Sequence, residues 1–314
     1  LVDSKELVNV TFNTDDTKVA EKTWANVPVQ RNYRTNIVGN ILTSDVDVDI
    51  NVKPGINDGE SITVAEVATA QSLQEAINDP DTDMITLTDD IDLNDLFASL
   101  TATRAGSTNT LYVVNGRELK LNLNGFELSG VDESTANYAL IYNNGKLTIL
   151  NSNTEKEGKI TLSATNNRNW SSYSSVISNN PGGELTIEDG VVVEHLGGTD
   201  MAYAIDNLTN GKGTYAETII NGGEIKSTYR PIRMFLNGVE ADNILTVNAG
   251  TIVSTGGNKA AIWMQDPSKN ANTGTLYVGA DAVIKNNVFL SVTEGSTEWP
   301  VEVYIIKAGL GEYL

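Results

Sequence analysis

The sequence contains no cysteine, a single histidine and only 21 Lys and Arg against 41 Asp and Glu. Without cysteine, structural disulfides and thiolate metal sites are excluded, although that absence assigns no compartment. No apolar run approaches the ~18–20 residues of a membrane-spanning helix. The scarcity of cations leaves a net charge of −20 and a pI of about 4.3. Such a surface repels phosphate, which disfavours nucleic acid and anionic membrane as partners. It tolerates Ca²⁺, neutral glycans or basic proteins. The chain starts at Leu1 rather than Met. It is therefore expected to be a processed or truncated product whose export signal lies outside the sequence.

What is present is a repeat. Several segments run through apolar residues into an amide, at Asn115, Asn143, Asn179, Asn207, Asn237 and Gln265. These amides are spaced 28, 36, 28, 30 and 28 residues apart, a period that signals a solenoid. A second column of alternating triplets follows, including Leu147-Thr148-Ile149, Leu185-Thr186-Ile187 and Leu245-Thr246-Val247. A third short strand comes after a glycine, as in Gly158-Lys159-Ile160 and Gly190-Val191-Val192. Three short strands per ~28 residues describe one turn of a parallel β-helix, whereas a propeller blade needs four strands and ~40–50 residues. The expected fold is all-β: a right-handed, single-stranded parallel β-helix of about 7–8 rungs. Its six amides would form a buried ladder, each side-chain NH2 donating to the next carbonyl oxygen. The helical spacing of Leu73, Ala76 and Ile77 marks a short helix capping the first rung.

Residues 1–59 do not follow the repeat and are expected to form a separate β segment with a linker, the β-helix occupying residues 60–314. Val8 to Phe12 and Asp45 to Val52 both alternate like strands, and in the second the valines and aspartates take opposite faces. Within this region Asn26 to Ser44 reads NVPVQRNYRTNIVGNILTS. The stretch resembles the closing strands of fimbrillin-type (Mfa-like) surface proteins of the Bacteroidetes, over roughly residues 8–52. That resemblance implies an exported lipoprotein of the outer membrane surface concerned with adhesion, of which only the end of one domain is present.

Candidate chemistry is sparse. Within the repeat, polygalacturonase-like segments such as Asn-Thr-Asp or Gly-His-Gly are missing. The best carboxylate pair is Glu184 and Glu217, each preceding a second-column strand, with Lys146 one rung earlier. In-register stacking would set the two carboxylates ~5 Å apart, near the separation of a retaining glycosidase. A mixed surface column is the plainer alternative. His195 is expected in a surface turn. The acidic run Asp79, Asp81, Asp83, Asp89, Asp90, Asp92 and Asp95 reads as solvated turns, since the Gly and Glu of a calcium loop are missing. No cofactor is expected, with Ca²⁺ the one ion these carboxylates could take. Trp170, Tyr173, Tyr229, Arg230 and Arg233 are candidates for stacking on and bonding to sugars. Trp263 is assigned to the inward column.

The reading that follows is a non-catalytic, cell-surface adhesin-like protein, anchored at the outer membrane or secreted, that contacts a glycan or protein ligand. An enzyme on acidic polysaccharide, a lyase or hydrolase, is the competing class. It would show as a carboxylate–Lys/Arg cluster in a groove across adjacent rungs. A purely structural spacer is the third.

Overall fold

The computed structural model describes residues 6–12, 22–29, 33–38, 49–54, 62–94, 110–134, 136–165, 172–198, 200–238, 240–256, 259–266, 273–285, 288–292 and 302–307. The chain divides into two compact units, Leu1–Ile62 and Thr63–Leu314.

In the first unit β1 (Glu6–Phe12) pairs antiparallel with β2 (Lys22–Val29). Val8 faces Val27 and Val10 faces Trp24, so Ala25 and Asn26 oppose Asn9 alone. This bulge requires a left-handed residue, and Asn26 supplies it at φ 60°. A second antiparallel pair joins β3 (Tyr33–Val38) to β4 (Asp49–Pro54). Asp45 and Asp47 of the acidic strand lie outside the described residues.

Among the described residues the second unit is a parallel β-solenoid with a single helix. It opens with β5 (Val64–Val67), α1 (Ala70–Asn78), β6 (Met84–Leu87) and β7 (Ile91–Asp92). Three-strand turns follow. The first comprises β8 (Leu111–Val113), β9 (Glu118–Asn122) and β10 (Glu127–Asp132). The second is β11 (Tyr138–Asn143), β12 (Lys146–Leu150) and β13 (Gly158–Ala164). The third is β14 (Ser174–Asn179), β15 (Glu184–Ile187) and β16 (Val191–Leu196). The fourth is β17 (Ala202–Asn210), β18 (Tyr215–Ile220) and β19 (Glu224–Ser227). In the fifth, β20 (Ile232–Asn237) is followed by β21 (Asp242–Ser254), which runs across two faces. Four further strands continue the stack: β22 (Ile262–Asp266), β23 (Thr273–Lys285), β24 (Val288–Val292) and β25 (Glu302–Lys307).

The solenoid makes about five turns rather than the 7–8 expected from the repeat. The stretch before β8 accounts for part of the difference. It spends one side of its turn on α1, which packs against β5, β6 and β8. Thr69 caps this helix, its hydroxyl accepting from Ser72 N while Ser72 Oγ accepts from Thr69 N. Ala70, Leu73, Ala76 and Ile77 are buried. Ile77 meets Leu111, Leu119, Ile141 and Leu147 around a residual void of only about 10 Å³, so the helix seals the apolar end of the stack.

Inward columns build the core in strict register. Ile141, Ile177, Ile205, Ile232 and Ile262 stack on the first face. Leu128, Ile160, Val193, Ile225 and Ile252 do so on the third. At the corner between first and second faces runs the amide ladder. Asn143 Nδ2 donates to Asn179 Oδ1 at 2.8 Å, Asn179 to Asn207 at 2.8 Å, and Asn207 to Asn243 at 2.7 Å. Their second N–H positions reach the main chain at Glu184, Glu217 and Ile244, and all four residues are fully buried. Thr218, a polar residue in an otherwise leucine column, donates to Asn207 Oδ1 at 3.1 Å.

The ladder differs from the expected one at both ends. Val113 pairs with Asn143, and Asn115 lies exposed beyond it. In the fifth turn Met234, rather than Asn237, pairs with Asn207, a slip of three residues. Burial decides this: Ile232 and Met234 face the core, and Phe235 is only half-buried. The ladder's fourth amide therefore arrives from β21 as Asn243. Asn237 instead bonds Asn210 at 3.1 Å near the surface, and Gln265 pairs with Phe235.

Replacing Asn179 with alanine should strand the neighbouring amides and buried carbonyls and cost about 3–5 kcal/mol. Asn237→Ala, on the surface, should stay within about 0.5 kcal/mol. Urea midpoints of the two variants beside the wild type test the contrast.

Candidate functional site

Because neighbouring side chains on a strand take opposite faces, each residue beside an inward isoleucine points out. On the first face this outward column reads Tyr112, Tyr142, Ser178, Asp206, Arg233, Trp263. Tyr112 and Tyr142 stack with centroids 5.1 Å apart. Further along, the column is closed off from solvent. Asp206 and Trp263 are fully buried and Arg233 is 3% exposed. Arg233 forks onto Asp206, Nε to Oδ1 at 2.8 Å and Nη2 to Oδ2 at 2.6 Å. Its guanidinium lies 4.6 Å from the ring centroids of Tyr203 and Phe235 and 4.9 Å from that of Tyr173. Alongside, Arg230 sits 4.1 Å over Trp263 and 4.9 Å over Tyr229, and Lys259 covers Tyr229 at 5.0 Å.

The structure thus brings together Tyr173, Tyr229, Arg230 and Arg233, while Trp170 lies outside the described residues. Tyr229 and Arg233 are interior members of this layer, and Tyr173 and Arg230 are half-buried. Trp263 occupies the outward column beside Arg233, not the inward one, and is buried against Tyr203. His195 is also corrected. It belongs to β16, is fully buried, and its Nε2 lies 2.9 Å from Ser174 Oγ. The Asp206–Arg233 pair was not singled out from sequence. Its one available signal is an acid and a base separated by a single repeat.

Burial pushes the Tyr173 phenol up to about 12, with the Asp206 carboxylate adding to the effect and Arg233 opposing it. Burial also raises the Tyr203 phenol. For Arg233, burial alone would lower the guanidinium, but the Asp206 carboxylate prevails and keeps it charged.

A second place lies on the outside of the second face. Glu118, Lys146, Glu184 and Glu217 form one column, each in register with the next. Lys146 Nζ is 3.1 Å from Glu118 Oε1, and Glu217 accepts a short hydrogen bond from Tyr215. Beside them a depression of about 250 Å³ spans three turns, lined by Arg117, Glu118, Lys146, Glu184, Asn115 and the turn glycines. Gly116 and Gly182 hold φ of 79° and 86°, and a Cβ at either would meet open space. The left-handed turns demand glycine there, and its missing side chain leaves the hollow unfilled. Arg117 is committed to the main chain, donating to the carbonyls of Asp79, Thr82 and Glu118. Hydrogen bonding to Glu118, then the charges of Glu118 and Glu184, raise Lys146 above the ordinary lysine value.

The acidic run serves turns. Asp79 accepts from Asp81 N and Thr82 Oγ1, which holds its carboxyl below the usual value. Asp83 accepts from Thr63 N, Asp90 from Glu127 N and Asp92 from Asn94, while Asp95 lies outside the described residues. Among the described residues no three His, Asp or Glu side chains converge as metal ligands.

Arg233→Met should cost about 3–5 kcal/mol because it leaves Asp206 buried without its counter-ion. Adding Asp206→Leu should recover much of that loss in a denaturant titration. A further expectation concerns pH. The unfolded chain ionises its tyrosines near pH 10, whereas folded Tyr173 holds its proton to about 12. The raised folded value means that stability is complete below pH 10 and falls as pH rises from 10 towards 12. Unfolding midpoints on either side of pH 10 give the sign directly.

Residues 64–191 match a family model described as "Putative pectate lyase-like adhesive domain". This stretch runs from β5 to the start of β16 and contains the whole depression. Residues 2–92 match a family described as being of unknown function. That match covers the first compact unit and continues through α1 to β7. No curated protein and no solved structure matches the chain. The capped, N-terminal turns of the solenoid are thus similar to a domain type described as adhesive.

Proposed function

We propose that the protein is a non-catalytic, surface-displayed or secreted adhesin-like β-helix that contacts a glycan at the depression beside Lys146. The observation that carries this reading is that the hollow across three turns falls within the stretch matching an adhesive domain. Its polar groups suit sugar hydroxyls: Glu118 and Glu184 accept, the Lys146 ammonium donates, and the glycine floor admits a ring. The half-buried Tyr173 and Arg230 belong to a layer built for packing, so the aromatic cluster is a support and not the contact surface.

The lyase or hydrolase reading draws on the same column, since a lysine between two carboxylates across adjacent turns is what such an enzyme would present. Two features favour binding over turnover. A lysine acts as a base only when its ammonium is destabilised, and Glu118 does the opposite to Lys146. Glu217, the second carboxylate of the candidate pair, is engaged by Tyr215. Ca²⁺, the display on an outer membrane and the fimbrillin-type relationship belong to the same proposal. Among the described residues no helix is long and apolar enough to cross a membrane.

A panel of plant and host polysaccharides, with and without Ca²⁺, separates the readings. Expected are retention of one or more glycans, no unsaturated uronate and no new reducing ends. Lys146→Ala, at an exposed position, should weaken retention by about tenfold with an unchanged melting temperature. Product formation abolished by Glu184→Gln would replace the adhesin reading with the enzyme.

A further inference from the structure

The sequence contains six Asn-Gly dipeptides, beginning at Asn115, Asn124, Asn144, Asn210, Asn221 and Asn237. All six fall among the described residues, at turns of the solenoid. Asn-Gly is the dipeptide most prone to lose the asparagine side-chain nitrogen, because glycine offers no side chain to block its own backbone nitrogen. Structure restrains the reaction when it holds either the attacked amide or the attacking nitrogen.

Five of the six are held. Asn124 donates to Leu87 O and accepts from Ser152, while Gly125 N donates to Asn151 Oδ1 at 2.7 Å. Asn144 accepts from Asn180, and Gly145 N donates to Asn143 Oδ1. Asn210 accepts from Asn237, and Gly211 N donates to Asn237 O at 3.0 Å. Asn221 donates to Glu188 and accepts from Asn248. Asn237 donates to Asn210. Asn115 is the exception: it is exposed, and among the described residues neither its amide nor the N–H of Gly116 makes a hydrogen bond. A Cβ built on Gly116 meets nothing within 4 Å, so the turn has room to move.

We infer that Asn115 is a site of spontaneous deamidation, selected from the six by the absence of any bond to its amide or to the nitrogen that follows it. The deprotonated backbone nitrogen of Gly116 attacks Cγ of Asn115. The new C–N bond closes a succinimide, and the Cγ–Nδ2 bond breaks to release ammonia, which carries away the proton. Water then opens the ring at either carbonyl, giving aspartate or isoaspartate with no change of oxidation state. The product places a carboxylate on the rim of the depression beside Glu118 and Lys146. That any glycan contact would weaken as a result rests on the proposed function; the modification itself does not.

The test is to age the purified full chain at mildly alkaline pH and map the peptides by mass spectrometry. The peptide carrying Asn115 should show the one-dalton gain first. Each hydrogen bond that must open slows the reaction by about fivefold, so the doubly held asparagines should lag by more than about tenfold. In denaturant the six should react at comparable rates, and Asn115→Gln should keep its mass in both conditions. If Asn115 reacts no faster than the other five in the folded protein, the inference is wrong. It is equally wrong if denaturant leaves the ranking unchanged, because flanking sequence would then set the order.

Discussion

Four buried asparagines are the constraint around which the solenoid is arranged. A side-chain amide carries two donors and an acceptor, and a column of them can be placed beside an apolar core only if each finds its partners in the next turn. Asn143, Asn179, Asn207 and Asn243 do so at near-ideal distances, and their remaining N–H groups bond the main chain at the corner where the strand direction changes. The bonds span successive turns, so they fix register as well as position: a slip by one residue would part the amides from their partners and turn them outward together with the isoleucines. Even Thr218 becomes intelligible through them, as a hydroxyl admitted to a leucine column because Asn207 receives it.

That logic also shows what could be seen in one dimension. Inward columns were legible because a strand alternates with period two, and Leu147, Leu185, Leu245 and Leu276 are joined by the pairings of their strands. The capping helix was legible from Leu73, Ala76 and Ile77. Phase between turns was not. In β20 the segment Ile232 to Asn237 offers apolar residues at several positions, and two alignments against β17 look alike until Arg233 is required to meet Asp206. On the third face Gly158 pairs with Val191, not Gly190, because a glycine at a corner marks the turn and not the strand position.

From sequence alone Tyr173 and Tyr229 are candidates for stacking on sugars, a role that needs exposed rings. Their burial depends on stacking, by which loops of adjacent turns come to cover the outside of the first sheet. Spacing along the chain reports a residue's face but is silent about what lies over that face. Here the covering includes a desolvated ion pair and several ring–cation contacts, which fasten the bases of the loops to the sheet. For a protein with few cations, it is notable that Arg117, Arg230 and Arg233 are all used internally. The acidic character of the outer surface follows from composition, 41 Asp and Glu against 21 Lys and Arg.

The helix at the start of the stack gives the molecule a direction. Every interior turn needs a neighbour on both sides before its apolar column is dry, and alone it has little to gain from closing. The turn beside α1 needs only one, because Ile77 and Leu73 already stand on the other side. Nucleation is therefore cheapest at this end, where the helix and its first contacts are local in sequence. Ordering can then proceed turn by turn away from the cap, each new asparagine finding the previous one already in place. The cap is thus a starting template for assembly of the coil as well as a lid on its core.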